Sequence, residues 1–353
     1  MKAFIALILF TSFFPFLAQS HPDLLIEQME ENEKIAEQSK YEIDPNTGQV
    51  KYEIKPNFIK GSPVHEKMTM ISISTSNIHG RNFDLTYDLP YLKGIFWNDD
   101  PEQMLCPWCD YTHIKKWGPK WAAKFLEARS EATRKNNPVI FSNGDNLLSR
   151  SHFGDLQFIH AMAYKDNIPA KETLRKILIW AEFTYRVGTG EISGSTKIKD
   201  VQIHGFPELF SNDNDIYNND IATFFHDRRV KRVAIGSLLH LIQDSYSLSH
   251  VDRKVLDNEK GRFCRTTVIR FHTYSGQDTE KHTNEDKWPS NLEESINDMV
   301  CDPISAGAKI LEYYAKNDFS GEEWIKVKNF LVEHVFKLEN PEELSGPGER
   351  FRP

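Results

Sequence analysis

Residues 240 to 250, HLIQDSYSLSH, set a histidine, an aspartate four positions on and a second histidine six positions after that. A neutral imidazole nitrogen and a carboxylate oxygen both bind zinc and similar divalent ions. Side chains at i and i+4 lie one turn apart on a single helix face, so His240 and Asp244 can hold the same ion. On a continuous helix His250 lies roughly 15 Å along the axis from His240, far beyond a zinc to nitrogen bond of about 2.0–2.1 Å. It then has to serve a different ion. The plainer alternative is a hydrogen-bonded His240–Asp244 pair in the core, with His250 ending the helix beside Asp252 and Arg253.

The element that positions these groups is RVKRVAIGSLLHLIQDSYSLSH, from Arg229. Its Val233, Ile235, Leu238, Leu239, Leu241 and Ile242 read as a mostly buried helix. Helical patterns also cover 64–74, 119–136, 153–163, 170–188, 291–316 with a break at Pro303, and 322–336. Strand-like alternation is rare, so the fold class is mainly α. Stretches 77–118 and 251–290, rich in Gly, Pro, Asn and Asp, read as long loops of functional or inserted character.

Further histidines and aspartates lie around these patterns. His152, in SHFGD, sits in a loop just ahead of the 153–163 helix and can turn toward a metal, whereas His160 reads as a packing histidine. Asp99 and Asp100 follow the aromatic run FWN, where one of them can cap a helix starting at Pro101. His65 opens the first core helix. His282 and Asp286, in HTNED, repeat the His-x3-Asp spacing in a polar stretch, with His272 as an alternative imidazole upstream.

MKAFIALILFTSFFPFLAQS has one lysine, an apolar core and a small-residue ending, so 1–20 reads as a signal peptide and the protein as exported. Residues 21–60 are charged and form an N-terminal arm or pro-segment with a short helix and a hairpin. A helical domain follows over 61–338, and 339–353 reads as a flexible tail. Apolar and charged fractions of 39% and 27% are those of a globular chain. A net charge of -8 argues against a stable nucleic-acid partner held by its phosphates, without excluding a nuclease. Cys106, Cys109, Cys264 and Cys301 are an even set in an exported chain, which favours disulfides. The CPWC spacing reads as structural, since no second CxxC is present to complete a zinc ribbon.

Taken together, HLIQDSYSLSHVDR, SHFGDLQFIHAMA and FWNDD resemble the motifs of the zinc-dependent phospholipase C family, most closely its exported bacterial metallophospholipase branch. The fungal single-strand-specific nucleases are relatives of that family. The resemblance spans about 61–290 and is strongest at 151–163 and 236–253. It implies a multi-helix fold around a trinuclear zinc cluster, making 61–338 a zinc-dependent hydrolase domain. Asp99, His152, His240 and Asp244 would hold one zinc, and Asp244 would bridge to a second shared with His65. His250, His282 and Asp286 would hold the third. Asp99, preferred over Asp100 because it stands two residues after Trp97, would also serve as a catalytic base. One departure is that the family's free amino terminus lies shortly before the first histidine, whereas here His21 is far upstream of His65.

The implied activity is hydrolysis of phosphatidylcholine-type phospholipids to diacylglycerol and a phosphorylated head group by a metal-activated hydroxide. Lipid degradation of this kind brings transient membrane-surface contact and a role in virulence. Trp97, Phe153 and Tyr246 could face a choline cation or simply pack. Two alternatives remain: a secreted nuclease or nucleotidase, which needs aromatic platforms and a basic groove, and a non-catalytic exported metal-binding protein with closed sites.

Overall fold

Met68, Met70 and Ile73 bury one side of the first core helix, α1 (Val64–Ser76), in a computed structural model. The structure describes residues 41–43, 50–52, 64–76, 78–105, 111–134, 136, 139–255, 264–278, 281–282, 285, 301–316 and 322–352. The expected signal peptide, the CPWC pair Cys106 and Cys109, and Asp286 lie outside them. The protein is mainly helical, as the apolar spacing implies.

Asp84 caps α2 (Leu85–Asp99), its carboxylate accepting the Thr86 N–H at 2.8 Å. This helix occupies part of the stretch expected as loop, because its packing overrides the cost of Pro90 and Gly94 inside it. Asp100 ends α2 instead of capping a helix at Pro101, and its carboxylate accepts the Leu105 N–H at 2.7 Å. α3 (Tyr111–Ala132) starts before the expected 119 and contains Pro119. Asn146 caps α4 (Leu147–Phe153), accepting the Ser149 N–H at 2.9 Å.

A helix over 153–163 was expected, and the structure corrects it. Gly154 is extended and pressed against the Phe141 carbonyl where no Cβ would fit, and Phe141 also accepts the Asp155 N–H at 2.9 Å. That stops α4 at Phe153, and a separate 3₁₀ turn, Gln157–His160, follows.

α5 (Ala170–Thr189) matches its expected span and ends at Gly190, whose φ of 85° is left-handed. Two short helices, α6 (Asn214–Asn218) and α7 (Ile221–Phe224), lead into the central α8 (Val230–Asp244). Asp302 caps α9 (Pro303–Ala315) with Pro303 in its first turn, so a helix begins at that proline, while the 291–300 part of the expected span lies outside the described residues. α10 (Glu322–Phe330) runs into a π turn, Leu331–Val335. Two antiparallel pairs complete the structure. β1 (Tyr41–Ile43) pairs with β2 (Val50–Tyr52), and β3 (Val251–Val255) pairs with β4 (Arg265–Phe271), the latter pair within the stretch expected to be loop.

α8 is buried along its length and packs on α1, α2, α5 and α9. Its approach to α2 is backbone on backbone: a Cβ at Gly94 would collide with the Val233 carbonyl, and one at Gly236 with the Tyr91 carbonyl. The crossing brings the C-terminal ends of α2 and α8 together, with Asp99 on one and His240 and Asp244 on the other. A buried polar network locks this register. Trp180 donates to Ser237 Oγ at 3.1 Å, Ser237 donates to Asn98 Oδ1 at 2.6 Å, and Asn98 donates to the Ile159 carbonyl at 2.9 Å. Gly236→Ala is expected to destabilise the fold by about 3 kcal/mol, since neither helix can give way without breaking this network. A chemical denaturation midpoint unchanged from wild type would refute that.

The expected flexible tail is instead packed, because its backbone finds partners on the body. Ala170 donates to the Glu343 carbonyl at 2.8 Å, Thr273 to Gly346 at 3.0 Å and Asp278 to Phe351 at 2.6 Å. Phe351 itself is buried. Cys264 and Cys301 form a disulfide across 37 residues, a pairing compatible with an extracellular setting. Among the described residues no helix is long and apolar enough to cross a membrane.

Candidate metal centre

Asp244 is the hub. Its Oδ1 lies 3.2 Å from His65 Nε2, and its Oδ2 lies 2.9 Å from His240 Nε2 and 2.8 Å from His160 Nδ1. The two carboxylate oxygens thus face different imidazoles, as a carboxylate bridging two ions must. Asp99 Oδ1 stands 3.7 Å from His240 Nε2 and 3.9 Å from His160 Nδ1, and those two nitrogens are 3.2 Å apart. A tetrahedral ion with bonds of about 2.0–2.2 Å separates its ligands by about 3.3–3.6 Å. The five separations among Asp99, His160, His240 and Asp244, from 2.8 to 3.9 Å, bracket that spacing.

The ligand implied by the resemblance at this position was His152, and the distances add His160, which meets both Asp244 and His240. With α4 stopped at Gly154, the 3₁₀ turn carries His160 against α8, while half-buried His152 remains one step out, its ring 5.0 Å from that of His160. His152 still groups with Asp99 and His160, and His65 with His240 and Asp244, as sets able to hold a metal ion.

Each nitrogen's role follows from what its ring partner nitrogen does. His160 Nε2 donates to the Asn98 carbonyl at 3.1 Å, which leaves Nδ1 as a bare lone pair toward Asp244. His65 Nδ1 donates to Gln243 Oε1 at 3.1 Å, and the Gln243 amide donates to Thr69 Oγ1 at 2.9 Å, so His65 presents Nε2. His152 Nδ1 donates to the Leu148 carbonyl at 3.0 Å. Lone pairs converging at this distance in a buried place repel unless a cation lies among them. A proton satisfies one such pair, while a metal ion satisfies all of them, so the donor set fits a metal.

The electrostatics agree. Burial pushes the Asp244 carboxyl up, but the His240, His250 and His65 imidazoles outweigh it and hold the group well below the ordinary carboxylate range. Burial pushes the His240 imidazole down, and the Asp244 and Asp99 carboxylates outweigh that and raise it. Burial, with the neighbouring His160 ring, holds His152 down to about 3. Glu66, next to His65, is a carboxyl that burial pushes up, and nothing in its sequence surroundings marked it.

His250 stands differently from the expectation drawn from a continuous helix. α8 ends at Asp244, the chain turns through Ser245–Ser249, and His250 Nδ1 comes within 3.6 Å of Asp244 Oδ2. That nitrogen donates to the His160 carbonyl at 2.8 Å, so Nε2 is the ligand-competent atom. The His250 and His282 rings are 5.1 Å apart. His282 Nδ1 donates to Gln277 Oε1 at 2.6 Å, and the Gln277 amide donates to the Ser249 and Pro347 carbonyls, each at 2.8 Å. His250 and His282 therefore form a second end of the cluster, held in part by the C-terminal segment. His272 does not join it, being turned to Asp252 Oδ2 at 3.0 Å and to the Ser249 carbonyl at 3.1 Å. Asp99, not Asp100, reaches the imidazoles.

Sequence reasoning passed over His160, Asn98, Gln243 and Gln277. Only His160 carried a usable signal, since a glycine directly after Phe153 marks a helix stop that would have moved attention from His152 to the next histidine. Trp97, Phe153 and Tyr246 are buried, Trp97 packing on Trp180, Phe224 and Phe225 and Tyr246 lying under the Arg253 guanidinium at 4.2 Å, so none of them faces a choline cation. Comparison of the chain with protein-family models, with curated proteins and with solved structures yields no match.

Proposed function

We propose that the protein is a zinc-dependent phosphodiester hydrolase of the phospholipase C type, cleaving phosphatidylcholine-like lipids to diacylglycerol and a phosphorylated head group. The observation that carries the reading is an open-sided donor set. Asp244 and His240 side chains are 2% and 0% exposed, while that of Asp99 is 44% exposed, so the cluster closes toward the core and opens at one carboxylate. Four protein ligands close a structural site, and catalytic ones keep a position for water or substrate, which the second ion, met by Asp244 and His65 among the described residues, would have. His160, His240, Asp244 and Asp99 would hold one ion and Asp244 with His65 a second, with His250 and His282 contributing to a third. When bound, such ions supply positive charge beside phosphoryl oxygens and lower the pKa of a nearby water toward about 7.

The chain's own part is positional. Asn98, Gln243 and Gln277 hold the imidazoles in one tautomer, and Asp99 Oδ, on the open side, is placed to take the proton released as water attacks phosphorus. Its exposure lets that proton pass on to solvent. The neutral His152 beside it adds no charge to repel or trap the phosphodiester.

The test is release of phosphorylated head group from phosphatidylcholine by purified protein, as isolated, after chelation and after zinc is restored, with single-stranded DNA in parallel. Zinc-restored lipid cleavage is the expected result. Cleavage of DNA alone would move the protein to the nucleases, and bound metal with no turnover on either would leave a binding protein.

A further inference from the structure

Residues 111–126 hold Lys115, Lys116, Lys120 and Lys124 and no aspartate or glutamate, in a chain whose net charge is -8. This is the first part of α3, which packs against α4, the helix that carries His152. Its outward face is unusual. Lys116, Pro119, Lys120, Ala123 and Leu126 recur at helical spacing and are exposed, Leu126 by 42%. A soluble helix normally shows charges of both signs there, whereas this one shows apolar groups beside Lys116 and Lys120 and meets its first exposed acid only at Glu127; Lys124 is paired with Glu102 at 2.7 Å.

Behind that face runs an aromatic stripe toward the cluster. Trp117 lies under the ammonium groups of Lys120 at 4.1 Å and Lys116 at 4.9 Å. Trp121 and Phe125 stack at 5.0 Å, and the Phe125 ring meets the His152 ring edge-on at 5.1 Å. We propose that the 113–126 part of α3 is the surface by which the protein settles on a membrane carrying anionic lipid, presenting its open-sided cluster to the lipid head groups. The proposal rests on the phospholipase reading of that cluster and names the surface it works on.

Charge complementarity selects the occupant: lysines attract anionic head groups, and their stems and Trp117 suit the boundary between head group and acyl chain. A single-stranded nucleic acid would use the same charge but needs bare aromatic faces for its bases. Here the Trp117 ring is covered by Lys116 and Lys120, which favours the lipid surface.

The experiment is co-sedimentation of zinc-loaded protein lacking the signal segment 1–20 with phosphatidylcholine vesicles, with and without phosphatidylglycerol, and diacylglycerol measured in the same tubes. Binding is expected to need the anionic lipid and to weaken as salt is raised. The double variant Lys116→Glu/Lys120→Glu is expected to partition about 10–30-fold more weakly with an unchanged melting temperature. Leu126→Ser, which removes apolar area without changing any charge, is expected to weaken it as well. Wild-type partition by both variants, or retention on single-stranded DNA and not on vesicles, would overturn the surface. Vesicle binding that depends on these residues without lipid cleavage would sustain the surface and defeat the phospholipase reading. Cleavage of dispersed short-chain phosphatidylcholine by a protein that ignores vesicles would do the reverse.

Discussion

An Asp244→Asn protein is expected to lose bound divalent metal and phosphodiester hydrolysis together. Asn keeps the shape of the side chain and removes its charge, while His65, His240, His160 and His250 stay gathered around it at 3.2, 2.9, 2.8 and 3.6 Å. Removing one partner from a buried charge set costs about 3–5 kcal/mol, which corresponds to about 10²–10⁴-fold in metal affinity. If, as proposed, two ions share this carboxylate, the loss should reach both, so metal content should fall by more than a single-ligand change at the edge of the cluster produces. Equilibrium dialysis with elemental analysis reads the first quantity and a head-group release assay the second. An Asn variant with full metal content and wild-type turnover would remove Asp244 from the centre and the reading with it.

The second large effect separates two neighbouring histidines. His160→Ala is expected to lower metal affinity by about 10²-fold or more, because it removes one of four converging donors and also uncouples the turn whose carbonyl orients His250. His152→Ala is expected to cost less metal affinity, since His152 groups with Asp99 and His160, whereas His160 also meets His240 and Asp244. Metal stoichiometry of the two purified variants, compared at equal zinc activity, decides the matter. A His152 variant that loses metal while the His160 variant keeps it would restore the assignment implied by motif resemblance and refute the one drawn from the distances.

These two predictions also show where the sequence is readable. Helices with continuous apolar periodicity, such as α5 and α8 as far as Asp244, lie where their patterns put them, because burial of a face or a whole helix is a property of spacing alone. α2 was hidden because Pro90 and Gly94 look like loop residues. Gly94 is there for the opposite reason, to let α8 touch the backbone of α2. The β3–β4 pair was hidden because a strand is stabilised by a partner that the local sequence does not name.

The chain by itself determined which residues could ligate: His240 and Asp244 on one helical face, with Asp99, His65, His152, His250, His282 and Asp286 as further candidates, since residue chemistry and i, i+4 spacing are local. Tertiary structure alone decided the membership of the cluster. The stop at Gly154 turns His160 inward beside His152, and the end of α8 at Asp244 folds His250 back toward Asp244. The Gly94–Gly236 crossing brings Asp99 to both. A ligand set is defined by distances of a few ångströms between atoms far apart in sequence, and those distances are fixed by helix ends and helix crossings, which residue spacing does not encode.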